Sequence, residues 1–141
     1  MATYTTYSVG GETIAAVSGS NYAGSPVVTV LTGVFDASKR ALAAADIAEV
    51  VVIPAGTYVM KVFYRVLTAD ATQTLNVGDG ADPDGYVAAA DVGTANNSGV
   101  GAGALATGKY YASADTIDIE VPATKALDTL KVVISAACVI Q

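Results

Sequence analysis

Large apolar side chains recur at every second position along most of this chain, in short runs broken by Gly, Pro, Asp and Asn. That period is the mark of β-strands. The run Val27 to Phe35 is dense in β-branched residues and predicts a largely buried strand. Ile47 to Ile53 predicts a second, closed by Pro54-Ala55-Gly56-Thr57, a turn in which proline presets φ and glycine supplies freedom. The longest alternation runs from Thr57 to Thr68. It sends Tyr58, Met60, Val62, Tyr64 and Val66 to one face, and Val59, Lys61, Phe63, Arg65 and Leu67 to the other. The second set mixes charge with large apolar groups, which suits the outer face of a two-sheet sandwich, with Phe63 and Leu67 as contact residues. Gln73 to Val77 is a short strand. In Thr116 to Val121, Ile117, Ile119 and Val121 point inward while Asp118 and Glu120 point outward. Leu127 to Ile140 is dense in Val and Ile and predicts a central strand or pair of strands.

Three segments carry weaker patterns. Residues 1–26 are rich in Thr, Ser, Gly and Tyr, end at Pro26, and read as an extended arm that needs a surface to lie on. Asp36 to Asp46 is alanine-rich and has room for a short helix. Gly93 to Gly108 is the most glycine-dense stretch and reads as a long loop or poorly specified strand. Seven or eight strands with turn signals between them, and no amphipathic helix, predict a single-domain all-β sandwich. The eight-stranded jelly roll suits the length, and an immunoglobulin-like sandwich is the alternative. The expected organisation is an arm over 1–26 and a sandwich over 27–141.

Composition narrows the chemistry. None of the 141 residues is histidine, which removes Ser-His-Asp and Cys-His pairs, His-containing zinc sites and imidazole pH switches. Only 14% of residues are charged, well below the usual quarter, so much of the surface is Ala, Gly, Thr, Ser and Val, as on a protein covered by neighbouring subunits. The net charge of −6 and seven scattered basic residues supply no footprint for nucleic acid. No apolar run is long enough for a membrane span, and the N-terminus lacks the pattern of a signal peptide. Cys138, alone in an apolar run, reads as a small buried hydrophobe in a chain folded under reducing conditions.

Each candidate for chemistry has a plainer rival. Asp79, Asp82 and Asp84, ending at Gly85, resemble part of a calcium loop. Gly80 stands at a ligand position and Asp91 where the bidentate Glu belongs, so an acidic turn with Asx hydrogen bonds fits better. Gly99-x-Gly101-x-Gly103 has phosphate-loop spacing but neither the flanking strand and helix nor a lysine, and reads as a flexible loop. Asp118 and Glu120 share a strand face about 7 Å apart, a separation seen in glycosidases, yet their outward direction fits a solvated face. No catalytic residue, metal or cofactor is assigned. The tyrosines offer contacts instead: Tyr4, Tyr7 and Tyr22 in the arm and Tyr110-Tyr111 at a strand start.

Several strings occur in an order that carries a resemblance. They are Ala48 to Val59 with Ile53-Pro54-Ala55-Gly56-Thr57 at its centre, Val77-Gly78-Asp79-Gly80-Ala81-Asp82-Pro83-Asp84-Gly85-Tyr86, Lys109-Tyr110-Tyr111 and Ala114-Asp115-Thr116-Ile117-Asp118. Over about residues 46–140 the chain resembles small virion proteins of tailed bacteriophages, the capsid cement or decoration proteins. The resemblance implies a jelly-roll homodimer or homotrimer on the outer capsid surface, made in the host cytoplasm and bridging neighbouring capsomers of the major capsid protein. It carries over no catalytic residues. The alternative function is a receptor- or glycan-binding module of a phage tail fibre or cell-surface appendage, and a carboxylate-based enzyme is the third.

Overall fold

The computed structural model describes residues 28–71, 73–122 and 126–140. They form nine strands: β1 (Val28–Asp36), β2 (Ile47–Ile53), β3 (Thr57–Thr68), β4 (Thr74–Asp79), β5 (Asp82–Asp91), β6 (Ser98–Val100), β7 (Lys109–Tyr111), β8 (Asp115–Glu120) and β9 (Lys131–Ile140). All pairings are antiparallel and nested: β4 with β5, β3 with β6 and β7, β2 with β8, and β1 with β9. Such a chain is one long hairpin. Rolling it up adds β3 against β9 and β4 against β8. The result is two packed sheets, ordered β1-β9-β3-β6 and β2-β8-β4-β5, with β7 continuing the β6 edge along β3. This is the jelly-roll order rather than the four-plus-three immunoglobulin arrangement.

The alternation read from the sequence places the core. Val132, Ile134, Ala136 and Cys138 of β9, Val62 and Val66 of β3, Ile117 and Ile119 of β8, and Leu75 and Val77 of β4 are all fully buried between the sheets. Cys138 is a buried free thiol, and burial pushes its pKa up, which keeps it protonated. β9 is central, flanked by β1 and β3, as its Val and Ile density predicted.

Local expectations change in three places. β3 does not alternate throughout, because its register against β9 shifts between Val59 and Lys61. A bulge there flips the face, so Val59 is buried and Tyr58 exposed, while Phe63, Arg65 and Leu67 remain outward. No helix forms over 36–46. Leu42 is the one large apolar side chain in that run, so there is no stripe for a helix to bury; it bridges Leu127 instead, and the Asp36 and Asp46 carboxylates close turns on Ser38 and Ala43. The segment 93–108 is not a free loop, since it holds β6 and a 3-10 turn over Ala104–Thr107.

Both open sides of the sandwich are closed by backbone packed on backbone. On one, Gly33 of β1 lies against β2, where a Cβ would stand 2.0 Å from the Val50 carbonyl oxygen. On the other, Ala102 and Gly103 both donate backbone N–H groups to the Tyr86 carbonyl, and Gly101 donates to that of Val62. At Gly101 a Cβ would lie 2.9 Å from the Tyr86 oxygen, and at Gly103 it would lie 2.5 Å from the Gly85 oxygen. Gly99 leaves room for the Tyr64 ring, 2.7 Å from the place of its missing Cβ. The three-glycine spacing is therefore a close-approach device: Gly101 and Gly103 join the sheets, and Gly99 admits the Tyr64 ring within its own sheet.

Candidate functional site

Four residues from the resembling strings meet at the side of the sandwich closed by residues 101–108. The β4–β5 hairpin delivers Asp79 and Tyr86, and the short edge strand β7 delivers Lys109 and Tyr111. Asp79 is 1% exposed. Its Oδ1 accepts the N–H groups of Ala81 (3.1 Å) and Asp82 (3.0 Å), which forms the hairpin as an Asx turn. Its Oδ2 accepts from Lys109 Nζ at 2.6 Å and from the Tyr111 hydroxyl at 2.7 Å. The Tyr111 hydroxyl lies 2.9 Å from that of Tyr86. Because Tyr111 gives its single proton to Asp79, Tyr86 is the donor to Tyr111. Lys109 also stands 4.8 Å from the Tyr111 ring centroid, within cation–π range.

The protonation states follow from the environment. Burial alone would raise the Asp79 carboxyl, but the hydrogen bonds from Lys109, Tyr111 and Ala81 and the lysine charge outweigh it and hold the group below the usual range. Burial pushes Tyr86 up to about 12. Burial likewise raises Tyr111, whose proton is also held by its bonds to Tyr86 and Asp79. Both phenols therefore stay neutral at physiological pH. The cluster is a structural tie between sheets, with every oxygen of Asp79 occupied by protein donors. Asp82 and Asp84 lie outside it, and among the described residues no three carboxylates converge as a metal-ion ligand set. Tyr111, expected as a contact residue, is 4% exposed and serves this cluster instead, because inward parity on β7 falls to it and outward parity to Tyr110.

The second carboxylate pair separates. Asp118, expected on a solvated face, is 7% exposed, because β8 is an inner strand with Glu49 of β2 and Gly78 of β4 directly opposite. Glu120 is half-buried. Burial raises the Asp118 carboxyl, a Thr116 hydrogen bond offsets part of this, and Glu49, Asp115 and Asp79 add repulsion. Its Oδ1 has no hydrogen-bond partner. A carboxyl raised in the folded state binds its proton more tightly there than in the unfolded chain, so it weakens the fold as pH climbs above about 4. Asp118→Asn is thus expected to raise stability by about 1 kcal/mol at neutral pH, with the gain vanishing in acid. Thermal melts at pH 7 and pH 3.5 check both halves.

The outer face of the β1-β9-β3-β6 sheet is the other candidate. Cross-strand register places Val28, Val139 and Tyr58 in one row, Val30, Ala137 and Lys61 in the next, then Thr32, Ser135, Phe63 and Val100, then Val34, Val133, Arg65 and Ser98. Asp36 and Lys131 end the face, 3.8 Å apart. Val28 is 61% exposed, Val30 58% and Val34 54%. Nine of the eleven exposed large apolar side chains among the described residues belong to this sheet; Ile47 and Val52 of β2 are the others. Phe63, Leu67 and Tyr110, expected as contact residues, lie on it, whereas Tyr4, Tyr7 and Tyr22 fall outside the described residues. The sequence pattern of β3 signalled this face. The exposed valines of β1 depart from the expectation, because the β-branched density of Val27 to Phe35 predicts a largely buried strand.

No protein-family model matches the chain. No curated protein matches its sequence either. Solved structures do match in fold. A chain of the Ralstonia phage GP4 capsid aligns at TM-score 0.64 and 21% identity over 81% of this chain and 84% of that one. A chain of the cyanophage Pam1 capsid asymmetric unit aligns at TM-score 0.64 and 22% identity, covering 90% and 94%. A chain of the acid-stable capsid of Helicobacter pylori bacteriophage KHP30 aligns at 0.58 and 16%, covering 81% and 88%. The neighbours are phage capsid chains. At these identities the likeness establishes the shared sandwich, and the near-equal coverage means each matched chain is about as long as this one.

Proposed function

We propose that this chain is a structural virion protein that binds the outer surface of a phage capsid as a homo-oligomer and bridges neighbouring capsomers. The observation that carries the reading is the fold match to capsid chains of similar length, which for the Pam1 chain covers 90% of this chain and 94% of that one. Four features support it: a jelly roll with its sides sewn by backbone contacts, a broad apolar outer face, a charged fraction of only 14%, and an excess of acid that disfavours packaged DNA. The residues assigned above need no catalysis. A shell under outward pressure is held by many modest contacts engaged together, because each bound subunit raises the effective concentration of the next.

The test is binding to empty shells of the virus that encodes the chain. Co-sedimentation is expected to saturate at a fixed ratio of this chain to the major capsid protein, and bound shells are expected to resist heat or low salt better than bare ones. Absence of saturable pelleting would overturn the reading. Clear hits on a glycan array, with no shell binding, would favour the receptor-binding alternative.

A further inference from the structure

We propose that the outer face of the β1-β9-β3-β6 sheet is the surface that seats on the shell, against an apolar patch bearing carboxylates, with the acidic β2-β8-β4-β5 sheet turned outward to solvent. This rests on the shell-binding reading above and names the surface and the chemistry of its partner.

Charge is divided between the two sheets. The strands β2, β4, β5 and β8 hold eight acidic residues and no lysine or arginine. The strands β1, β3, β6, β7 and β9 hold Lys61, Arg65, Lys109 and Lys131 against Asp36 alone. Lys109 is taken up by Asp79, and Lys131 stands 3.8 Å from Asp36. Lys61 and Arg65 are exposed and form no ion pair among the described residues. On the other sheet Glu49 is exposed, directly across from Asp118. The sandwich is thus a charge dipole normal to its sheets, which turns the basic, apolar face toward an acidic surface during approach and penalises arrival by the other face.

Area separates a shell from a second copy as the occupant. Four strands at about 4.8 Å spacing span about 19 Å, and nine residues at about 3.4 Å extend about 30 Å, a footprint on the order of 600 Å². A standard interface takes about 800 Å² from each partner, so this face falls short of a stable pairwise contact. It has the size of a weak contact, and weak contacts hold when many copies engage one lattice together. Two such faces laid on each other would also set an excess of cations against itself. Against a partner patch of apolar and carboxylate groups, Val30, Val34 and Phe63 supply area to bury, and Lys61 and Arg65 supply the charge that fixes orientation.

The experiment is co-sedimentation of variants with empty shells of the virus that encodes the chain. Val30→Glu puts a carboxylate into the apolar centre and is expected to weaken binding by at least about tenfold. Lys61→Glu combined with Arg65→Glu is expected to weaken it by about tenfold and to flatten its dependence on salt. Val52→Glu, 71% exposed on the other sheet, and Glu49→Gln are expected to leave binding unchanged. Because a charge placed in a strand can disturb folding, a second readout uses thiol protection. Val30→Cys is expected to react with a maleimide in the free chain and to be shielded in the bound one, whereas Val52→Cys reacts in both; the native Cys138 is fully buried and does not compete. Unchanged binding by a folded Val30→Glu, or equal labelling of Val30→Cys free and bound, would overturn the proposal while the pelleting of the intact chain keeps the shell-binding reading standing. Slow labelling of Val30→Cys in the free chain also overturns it: relief on dilution would assign the face to a second copy, and persistence on dilution to another segment of the same chain. An intact chain that does not pellet overturns both.

Discussion

Asp79→Ala is expected to destabilise the fold by about 3 kcal/mol, a large share of the roughly 5–15 kcal/mol available to a domain of this kind. The carboxylate accepts four hydrogen bonds from two sides of the sandwich. Removing it leaves the Tyr111 hydroxyl and the Lys109 ammonium partly buried without their acceptor, and two turn N–H groups unsatisfied, so the loss exceeds that of one ordinary hydrogen bond. Asp79→Asn keeps an acceptor for the hairpin and should lose about half as much. The two variants also differ from the parent in acid. The Asp79 carboxyl sits below its usual range in the folded protein, so its stabilisation is complete above about pH 4 and fades as pH falls through and below that value. Denaturant titrations from pH 7 to pH 2.5 are expected to show a shallower acid decline in Asp79→Asn than in the parent. Parallel curves would mean that the lysine bond adds nothing. Asp118 acts in the opposite sense over the same range, so Asp118→Asn should steepen the net decline that Asp79→Asn flattens.

Gly78→Ala, one residue earlier, is expected to cost about 3 kcal/mol by a different route. The β5 backbone folds back over Gly78, so a Cβ there would stand 2.0 Å from the Asp82 carbonyl oxygen and 2.4 Å from the Pro83 carbonyl carbon. Neither atom belongs to a flexible side-chain end. The hairpin must open to admit a methyl, and opening it moves Asp79 away from β7. The two substitutions damage the same tie, so Gly78→Ala with Asp79→Ala should cost clearly less than the sum of the single losses. Gly80 provides the control: at the exposed hairpin tip nothing lies within 4 Å of its Cβ position, and Gly80→Ala should leave the melting temperature nearly unchanged. Equal losses at Gly78 and Gly80 would show that backbone entropy rather than close approach sets the effect.

The strand pattern was legible because alternation reports on neighbours across the core, and the core here is ordinary Val, Ile and Leu. Ile117 and Ile119 follow inward on that basis, Cys138 reads as buried from the apolar run around it, and all three are fully buried. The turn at Pro54 to Thr57 was legible for a local reason, and Gly56 takes the positive φ of 79° that glycine allows. Where the reading failed, the deciding partner was remote in sequence. Met60 sits at a bulge that only the pairing with β9 reveals. Asp118 alternates outward as read, yet β2 and β4 close over it from both sides. Asp70, unremarked in the sequence, is 3% exposed and accepts the N–H groups of Asp128 and Thr129 from the far end of the chain. In β1, the same valine density fits a strand buried on two faces or a strand with one face bare, and composition does not separate them.

By itself the sequence determined the all-β class, the inward residues Ile117, Ile119 and Val121 of one clean alternation and the absence of histidine chemistry, since these depend on local period and composition. Tertiary structure alone decided which residues with functional groups meet. Nesting a long hairpin into a jelly roll brings Asp79 and Tyr86 to Lys109 and Tyr111, and places the valines of β1 beside Phe63 and Val100. Both outcomes depend on contacts between residues far apart along the chain, which no periodicity encodes. The low charge of the chain gains its physical meaning there: most of the exposed large apolar side chains among the described residues gather on one sheet, with Lys61, Arg65 and the Asp36–Lys131 pair as its charges.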